Sequence, residues 1–321
     1  MAIQTLTSAG AVDALKAPVV VIDDFLPREV AQGMRADIET HFSNPGQHRP
    51  ESHQVWNYWF VPGLYTYMRT QPEKVIRRDL VGQFHGALRR WSSDVLGLAM
   101  VTHPYLSLYV DGCSQGLHND STNGRFAYVY SLTAQERRTN GGETIVLHEG
   151  DPFRRNLRRG NAGRGLYDLI EPRFNRLVVF DDRLVHGVER VSGSMDPVQG
   201  RFVMHGHIEE AGPIVAGALS REAVDDGLRR ALARFGAGGL GLTQRYHGLM
   251  TIRFAVSPLG DVTNLQVAVD RVFNERESDA EWPQIRGKLL EALQGTAFQP
   301  ASGETSVTAP LTFGGPMRAP A

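Results

Sequence analysis

The sequence predicts a mainly β protein with flanking helices, in which an antiparallel double-sheet barrel of jelly-roll type is followed by a small α+β domain. Three observations carry that reading. From residue 105 the chain becomes a series of short apolar runs separated by Gly, Asn and Asp: YLSLYV, RFAYVYSL, GGETIVL, RLVVF, VHGVERV and RFVMHGHI. Strands at this spacing, with few helical segments between them, favour two packed antiparallel sheets. Ahead of them lie two amphipathic helical stretches, and after residue 211 the pattern turns helical, dissolves into glycine and resumes as strand, strand, helix, strand.

Taken in order, PVVVIDDFL joins a β-branched run to an Asp pair, and PREVAQGMRADIETHF sets apolar residues at helical spacing behind a proline suited to a first turn. A strand leading into a helix follows. WNYWFVPGLYTYMR, residues 56–69, gathers aromatic side chains that either pack or stack on a ligand. PEKVIRRDLVGQFHGALRRWSSDVLG then carries Val75, Ile76, Leu80, Phe84, Leu88 and Trp91 about one turn apart with arginines opposite, a second amphipathic helix. Within the barrel, FRRNLRRGNAGRG at 153–165 reads as a mobile loop, either solvated or clamping an anionic substrate. The expected division is 1–211, with its barrel at about 100–210, a helical and glycine-rich connector at 212–242, and an α+β domain at 243–321 ending in the fraying tail GGPMRAPA.

The bulk properties exclude several classes. A formal net charge of −1, with acids and bases spread along 321 residues, provides no field to gather nucleic acid or an anionic membrane. The single cysteine, Cys113, rules out an intrachain disulfide framework, and the opening MAIQTLTSAG lacks the basic start and apolar run of an export signal. A cytoplasmic setting is the expectation. No apolar stretch approaches the ~20 residues of a membrane-spanning helix, and no solenoid period is present.

The chemistry concentrates in His118-Asn-Asp120. Residues two apart on an extended segment share a face, so one ion can meet both side chains. With a distant His186 just after RLVVFDD, the chain offers two imidazoles and one carboxylate, the set that holds iron(II) on one face and leaves the opposite positions open. Among eleven histidines such a tripeptide also arises by chance, so its neighbours matter.

In order along the chain stand Tyr109-Val-Asp-Gly112, His118-Asn-Asp120, Arg125-Phe-Ala, Gly141-Gly-Glu-Thr144, Asn175-Arg-Leu-Val-Val-Phe180, His186-Gly-Val and Gly200-Arg201. This series resembles the prolyl-4-hydroxylase-like branch of the non-haem Fe(II)/2-oxoglutarate-dependent dioxygenases, from about residue 18 to about residue 208. The resemblance implies a double-stranded β-helix core, His118, Asp120 and His186 as iron ligands, and Arg201 as the cation for the distal carboxylate of 2-oxoglutarate. A planar guanidinium suits that task because it meets two carboxylate oxygens at once and keeps its charge when desolvated. The fifteen residues from His186 to Arg201 exceed the family's usual interval, and the insert SGSMDP accounts for them as a longer turn. Arg190 is the competing cation, too near His186 to reach the far end of the co-substrate. Tyr109, nine residues before His118, takes the family's place for a tyrosine beside the co-substrate, or simply fills the barrel mouth. Tyr128 and Tyr130 share a strand face, and either phenol could reach the 2-oxoglutarate carboxylate. His205 and His207 face the interior with Arg201 and receive no metal role.

The resemblance implies hydroxylation of an unactivated C–H bond in an amino acid, peptide or protein, with 2-oxoglutarate and dioxygen consumed, succinate and carbon dioxide released, and ascorbate admitted as an auxiliary reductant. The carboxylate of Asp120 argues against halogenation, since related iron halogenases lack it. Cyclisation, desaturation and epimerisation by the same cofactors stay open. So does a reading of another class, a metal-free or zinc-bound jelly-roll binding protein whose C-terminal domain does the work. RRNLRR beside the mouth suits a carboxylate-bearing small-molecule or peptide substrate. The C-terminal strand, strand, helix, strand order, with Phe298-Gln-Pro300, resembles the C-terminal domain of TonB-like energy transducers and suits a homodimer or protein partner bound at a sheet edge.

Overall fold

The run Leu177-Val-Val-Phe is apolar at every position, with two β-branched residues and an aromatic one, as a strand covered on both faces requires. In the computed structural model it forms a strand of which every residue is buried. The structure describes residues 4–5, 19–43, 55–120, 125–147, 166–237, 246–274 and 281–313. The described residues fall into two compact units, one drawn from those of 4–5, 19–89 and 101–209, the other from those of 90–100 and 210–313.

The first unit is built on a thirteen-stranded sheet. Its strands are β1 (Gln4–Thr5), β2 (Val19–Ile22), β3 (Asn57–Val61), β4 (Tyr65–Thr70), β5 (Met100–Val101), β6 (Tyr105–Tyr109), β7 (Ser114–His118), β8 (Phe126–Ser131), β9 (Thr144–Leu147), β10 (Tyr167–Ile170), β11 (Leu177–Asp181), β12 (His186–Val188) and β13 (Arg201–Glu209). The spatial order is β1-β2-β11-β8-β13-β6-β4-β7-β12-β9-β10, with β3 on β4 and β5 on β13. Strands β2 to β10 along this path pair antiparallel, and only β1 joins in parallel. The sheet curls at β4, where Met68, Arg69 and Thr70 pair with β6 while Tyr65 and Thr66 pair with β7. This is the mainly β, jelly-roll core that the spacing of apolar runs predicts. The aromatic segment at 56–69 is now a hairpin of β3 and β4. The arginine-rich stretch 153–165 lies outside the described residues.

Two helices flank the sheet. α1 (Arg28–Ser43) buries Val30, Ala31, Met34 and Ile38, one stripe of the helix, as its spacing predicts. α2 (Arg78–Trp91) buries Leu80, Val81, Phe84 and Leu88. It starts later than the apolar pattern suggests, leaving Val75 and Ile76 ahead of it, because Asp37 on α1 accepts the backbone N–H and the Nε–H of Arg77 at the helix entrance.

The second unit is a four-stranded antiparallel sheet in the order β14-β17-β15-β16, from β14 (Ile214–Gly217), β15 (Tyr246–Val256), β16 (Val262–Asn274) and β17 (Thr305–Phe313). Within the stretch expected as a connector, β14 pairs with β17 and α3 (Arg221–Ala237) inserts Val224, Leu228 and Ala231 into this unit's core. The same core takes Trp282, Leu289 and Leu293 from α4 (Trp282–Gln294). No described helix is long and apolar enough to cross a membrane.

Candidate metal centre

Two adjacent antiparallel strands place the predicted ligands together. His186 at the start of β12 stands opposite His118 at the end of β7, and their ring centroids lie 4.4 Å apart. Asp120 follows two residues past His118, where its backbone N–H donates to the carbonyl of Asp182 at 3.0 Å. His118 Nε2 is 3.8 Å from Asp120 Oδ1, and His186 Nε2 is 3.4 Å from Asp120 Oδ2. One donor atom from each of the three residues lies within 4.8 Å of the others.

Both imidazoles are held in a metal-binding orientation by the backbone. His118 Nδ1 lies 2.9 Å from the carbonyl of Gly116, and His186 Nδ1 2.9 Å from that of Leu184. A carbonyl only accepts, so each Nδ1 carries the proton and each Nε2 turns its lone pair toward Asp120. Burial, and then the charge of His186, push His118 below its ordinary pKa. Burial also pushes the Asp120 carboxyl up, but the positive charge that His186, His118 and His207 carry when protonated, with the hydrogen bond His186 gives in that form, outweighs it and holds the group at about 2. Two neutral nitrogens and one carboxylate are the donor set a divalent metal needs.

The triad opens into a cavity of about 250 Å³ whose lining includes Arg201, Tyr109 and Tyr128. Arg201, the first residue of β13, is 1% exposed. Its Nη2 donates to Thr144 Oγ1 at 3.1 Å, and its guanidinium carbon lies 4.7 Å from the Tyr109 ring centroid. Its Nε and Nη1 are buried without hydrogen-bond partners. A desolvated cation with two donor nitrogens unused marks a place for an anion, because leaving it unpaired is costly. Arg190 is exposed and lies outside the cavity lining.

The tyrosines divide by partner. Tyr109 donates to Gln115 Oε1 at 3.2 Å, and burial raises its pKa, so the phenol keeps its proton. Tyr128 lines the cavity, but its hydroxyl donates to the carbonyl of Thr102 at 3.1 Å. Tyr130 donates instead to Asn175 Oδ1 at 2.8 Å.

Further residues line the cavity, of which the sequence reading gave Gln115 and Arg69 no role and offered the tyrosines of 56–69 only as packing or stacking groups. Gln115 Nε2 lies 3.2 Å from His118 Nε2. His207 Nε2 lies 3.9 Å from Asp120 Oδ2, while His205 Nε2 is bound to Ser107 Oγ at 2.8 Å and burial depresses its pKa to about 3. Tyr65, Tyr67 and Arg69 enter from β4. A signal for these three existed in the period-two pattern of YTYMRT, which puts them on one face of a strand.

Comparison with known proteins follows the same strands. Residues 104–209, which carry the triad and Arg201, match the model of the 2OG-Fe(II) oxygenase superfamily. No curated protein matches the chain. Among solved structures, a Pseudomonas putida prolyl-4-hydroxylase is similar at 15% identity over 60% of this chain and 92% of its own, with a TM-score of 0.43. A prolyl hydroxylase from Trichoplax adhaerens, in complex with a hypoxia inducible factor oxygen degradation domain peptide fragment, is similar at 13% identity over 59% and 81%, with a TM-score of 0.41. The non-heme alpha ketoglutarate dependent epimerase SnoN from nogalamycin biosynthesis is similar at 14% identity over 61% and 79%, with a TM-score of 0.43. Over residues 104–209 the chain is therefore similar to the 2OG-Fe(II) oxygenase superfamily, dioxygenase enzymes that use iron(II), 2-oxoglutarate and dioxygen.

Proposed function

We propose that this protein hydroxylates an unactivated C–H bond of an amino acid, peptide or protein, with His118, Asp120 and His186 holding iron(II) and Arg201 holding the distal carboxylate of 2-oxoglutarate. The observation that carries the reading is the buried guanidinium of Arg201, with Nε and Nη1 unpartnered, in the same cavity as the triad. A metal trio alone would serve many reactions; a metal trio beside a desolvated cation suits a metal-chelating dicarboxylate.

When bound, iron(II) with 2-oxoglutarate and dioxygen supplies an oxidant for C–H bonds, and succinate and carbon dioxide are the co-products. The chain's own residues do the positioning. Gly116 and Leu184 carbonyls fix the two imidazoles, so both Nε2 atoms point to one spot. Thr144 and the Tyr109 ring hold the Arg201 guanidinium in one orientation, so its free edge is preset for a carboxylate. Phe180, its ring centroid 4.7 Å from that of His186, packs against that imidazole and limits its movement.

Anaerobic addition of iron(II) and then 2-oxoglutarate to the full chain should give a weak visible charge-transfer band, absent in His186→Ala. Wild-type protein that binds iron(II) yet develops no band with 2-oxoglutarate would leave a metal-binding jelly roll in place of this oxygenase assignment.

A further inference from the structure

Three aromatic rings form a stack with an arginine at each end. The Arg201 guanidinium carbon lies 4.7 Å from the Tyr109 centroid, Tyr109 stacks on Tyr67 at 5.0 Å and 15°, and Tyr67 stacks on Trp59 at 6.3 Å and 18°. The Arg69 guanidinium carbon then lies 3.6 Å from the Trp59 centroid and 4.0 Å from that of Tyr105. The two cations line one cavity and are kept apart by the stack.

Aromatic faces attract a guanidinium but accept nothing in its plane, where the five N–H groups point. Tyr67 is the side-chain hydrogen-bond partner of Arg69. No carboxylate forms an ion pair with Arg69 among the described residues. The carboxylate of the cavity, Asp120, faces the imidazoles of His118, His186 and His207. Holding an arginine between two rings also removes most of the rotamer freedom that a flexible cation loses on binding, so its planar edge is presented in advance.

We propose that Arg69 anchors a carboxylate of the substrate, so that the cavity holds two anions, the co-substrate's at Arg201 and the substrate's at Arg69. A volume of about 250 Å³, which the co-substrate shares, lies below the ~300–1,000 Å³ of ordinary ligand pockets and favours a small carboxylic acid, of amino-acid size at most, as the group that enters beside Arg69. What happens to that acid rests on the oxygenase reading above; its capture by Arg69 does not.

The test is an anaerobic calorimetric titration of the full chain, saturated with iron(II) and 2-oxoglutarate so that Arg201 is engaged, using the standard free amino acids and the carboxamide of each. At least one acid should bind, with its amide weaker by roughly tenfold or more, the worth of a charged hydrogen bond. Arg69→Gln should erase that difference, and Arg69→Lys, which keeps the charge without the planar fork, should keep part of it. If Arg69→Gln fails to fold by circular dichroism, the Arg69→Lys titration decides. An acid bound no better than its amide, an acid bound equally well by both variants and wild type, or a panel with no binding acid overturns the proposal. The visible band of the wild-type sample reads the oxygenase assignment separately. Its absence would remove that assignment and leave the acid-against-amide comparison to decide Arg69 alone.

Discussion

Arg201 lies buried against Tyr109, guanidinium carbon to ring centroid 4.7 Å, with Nε and Nη1 unpartnered. The ring and phenol of Tyr109 and one bond to Thr144 do not repay the desolvation of a full charge. In the ligand-free protein this position therefore works against stability and favours an arriving anion.

Arg201→Met is accordingly expected to leave the ligand-free melting temperature unchanged or raised, because the lost Thr144 bond, worth about 1.5–3 kcal/mol, is offset by relieving the desolvation of the buried charge. The same variant should raise the 2-oxoglutarate concentration for half-saturation by roughly tenfold or more. Differential scanning fluorimetry and an anaerobic absorbance titration check both halves. A lower melting temperature with an unchanged 2-oxoglutarate requirement would make Arg201 a structural cation.

Gln115 gives a prediction in the opposite direction. Its Nε2 lies 3.2 Å from His118 Nε2, the nitrogen left as acceptor when Nδ1 donates to Gly116. The amide competes for the lone pair that a metal would take. Gln115→Ala should leave iron(II) affinity unchanged or raise it up to about tenfold, the worth of the lost bond, whereas His118→Ala should abolish binding at this site. A strong loss of affinity in Gln115→Ala would show that the amide supports the ligand after all.

How far the site was legible follows from the range of its contacts. His118 and Asp120 share a strand face, and the ordered motifs up to Gly200-Arg201 carry the rest of the triad and the choice of Arg201 over Arg190. What period-two reasoning cannot supply is the partner across the barrel. Tyr128 and Tyr130 look equivalent in sequence, yet one meets Thr102 and the other Asn175, at separations of 26 and 45 residues. Arg69 and Gln115 come to the cavity because β4 pairs with both β6 and β7, a crossing with no local signature. In the second unit, α3 sends only a few residues inward and precedes a glycine-rich stretch, so its place in the core shows only in three dimensions.

Asn175 ties the opening segment to the barrel from a left-handed backbone conformation, φ 62°. Its Oδ1 accepts from the Leu26 N–H at 3.0 Å and from the Tyr130 hydroxyl at 2.8 Å, and its Nδ2 donates to the Leu26 carbonyl at 2.8 Å. Asn175→Ala and Asn175→Gly should each destabilise by about 2–4 kcal/mol, because either strands buried polar groups at about 1–3 kcal/mol apiece. Glycine should be the milder of the two by up to about 1 kcal/mol, since it removes only the backbone strain. Losses below about 1 kcal/mol in denaturant titrations of both variants would mean that other groups or water replace the amide.

The two mid-helix glycines of the second unit separate helix propensity from packing. Alanine is favoured over glycine inside a helix by about 1 kcal/mol. At Gly287 in α4 an added Cβ meets nothing within 4 Å, so Gly287→Ala should stabilise by roughly 0.5–1 kcal/mol. At Gly227 in α3 the same Cβ would collide with Cε1 and Cδ1 of Phe298, on a ring only 3% exposed and packed 5.7 Å from Phe254. Overpacking costs about 1–3 kcal/mol and should outweigh the propensity gain, so Gly227→Ala lowers the melting temperature where Gly287→Ala raises it. A rise in both would mean that Phe298 moves aside at little cost and that the contact between α3 and the Phe298 loop is loose.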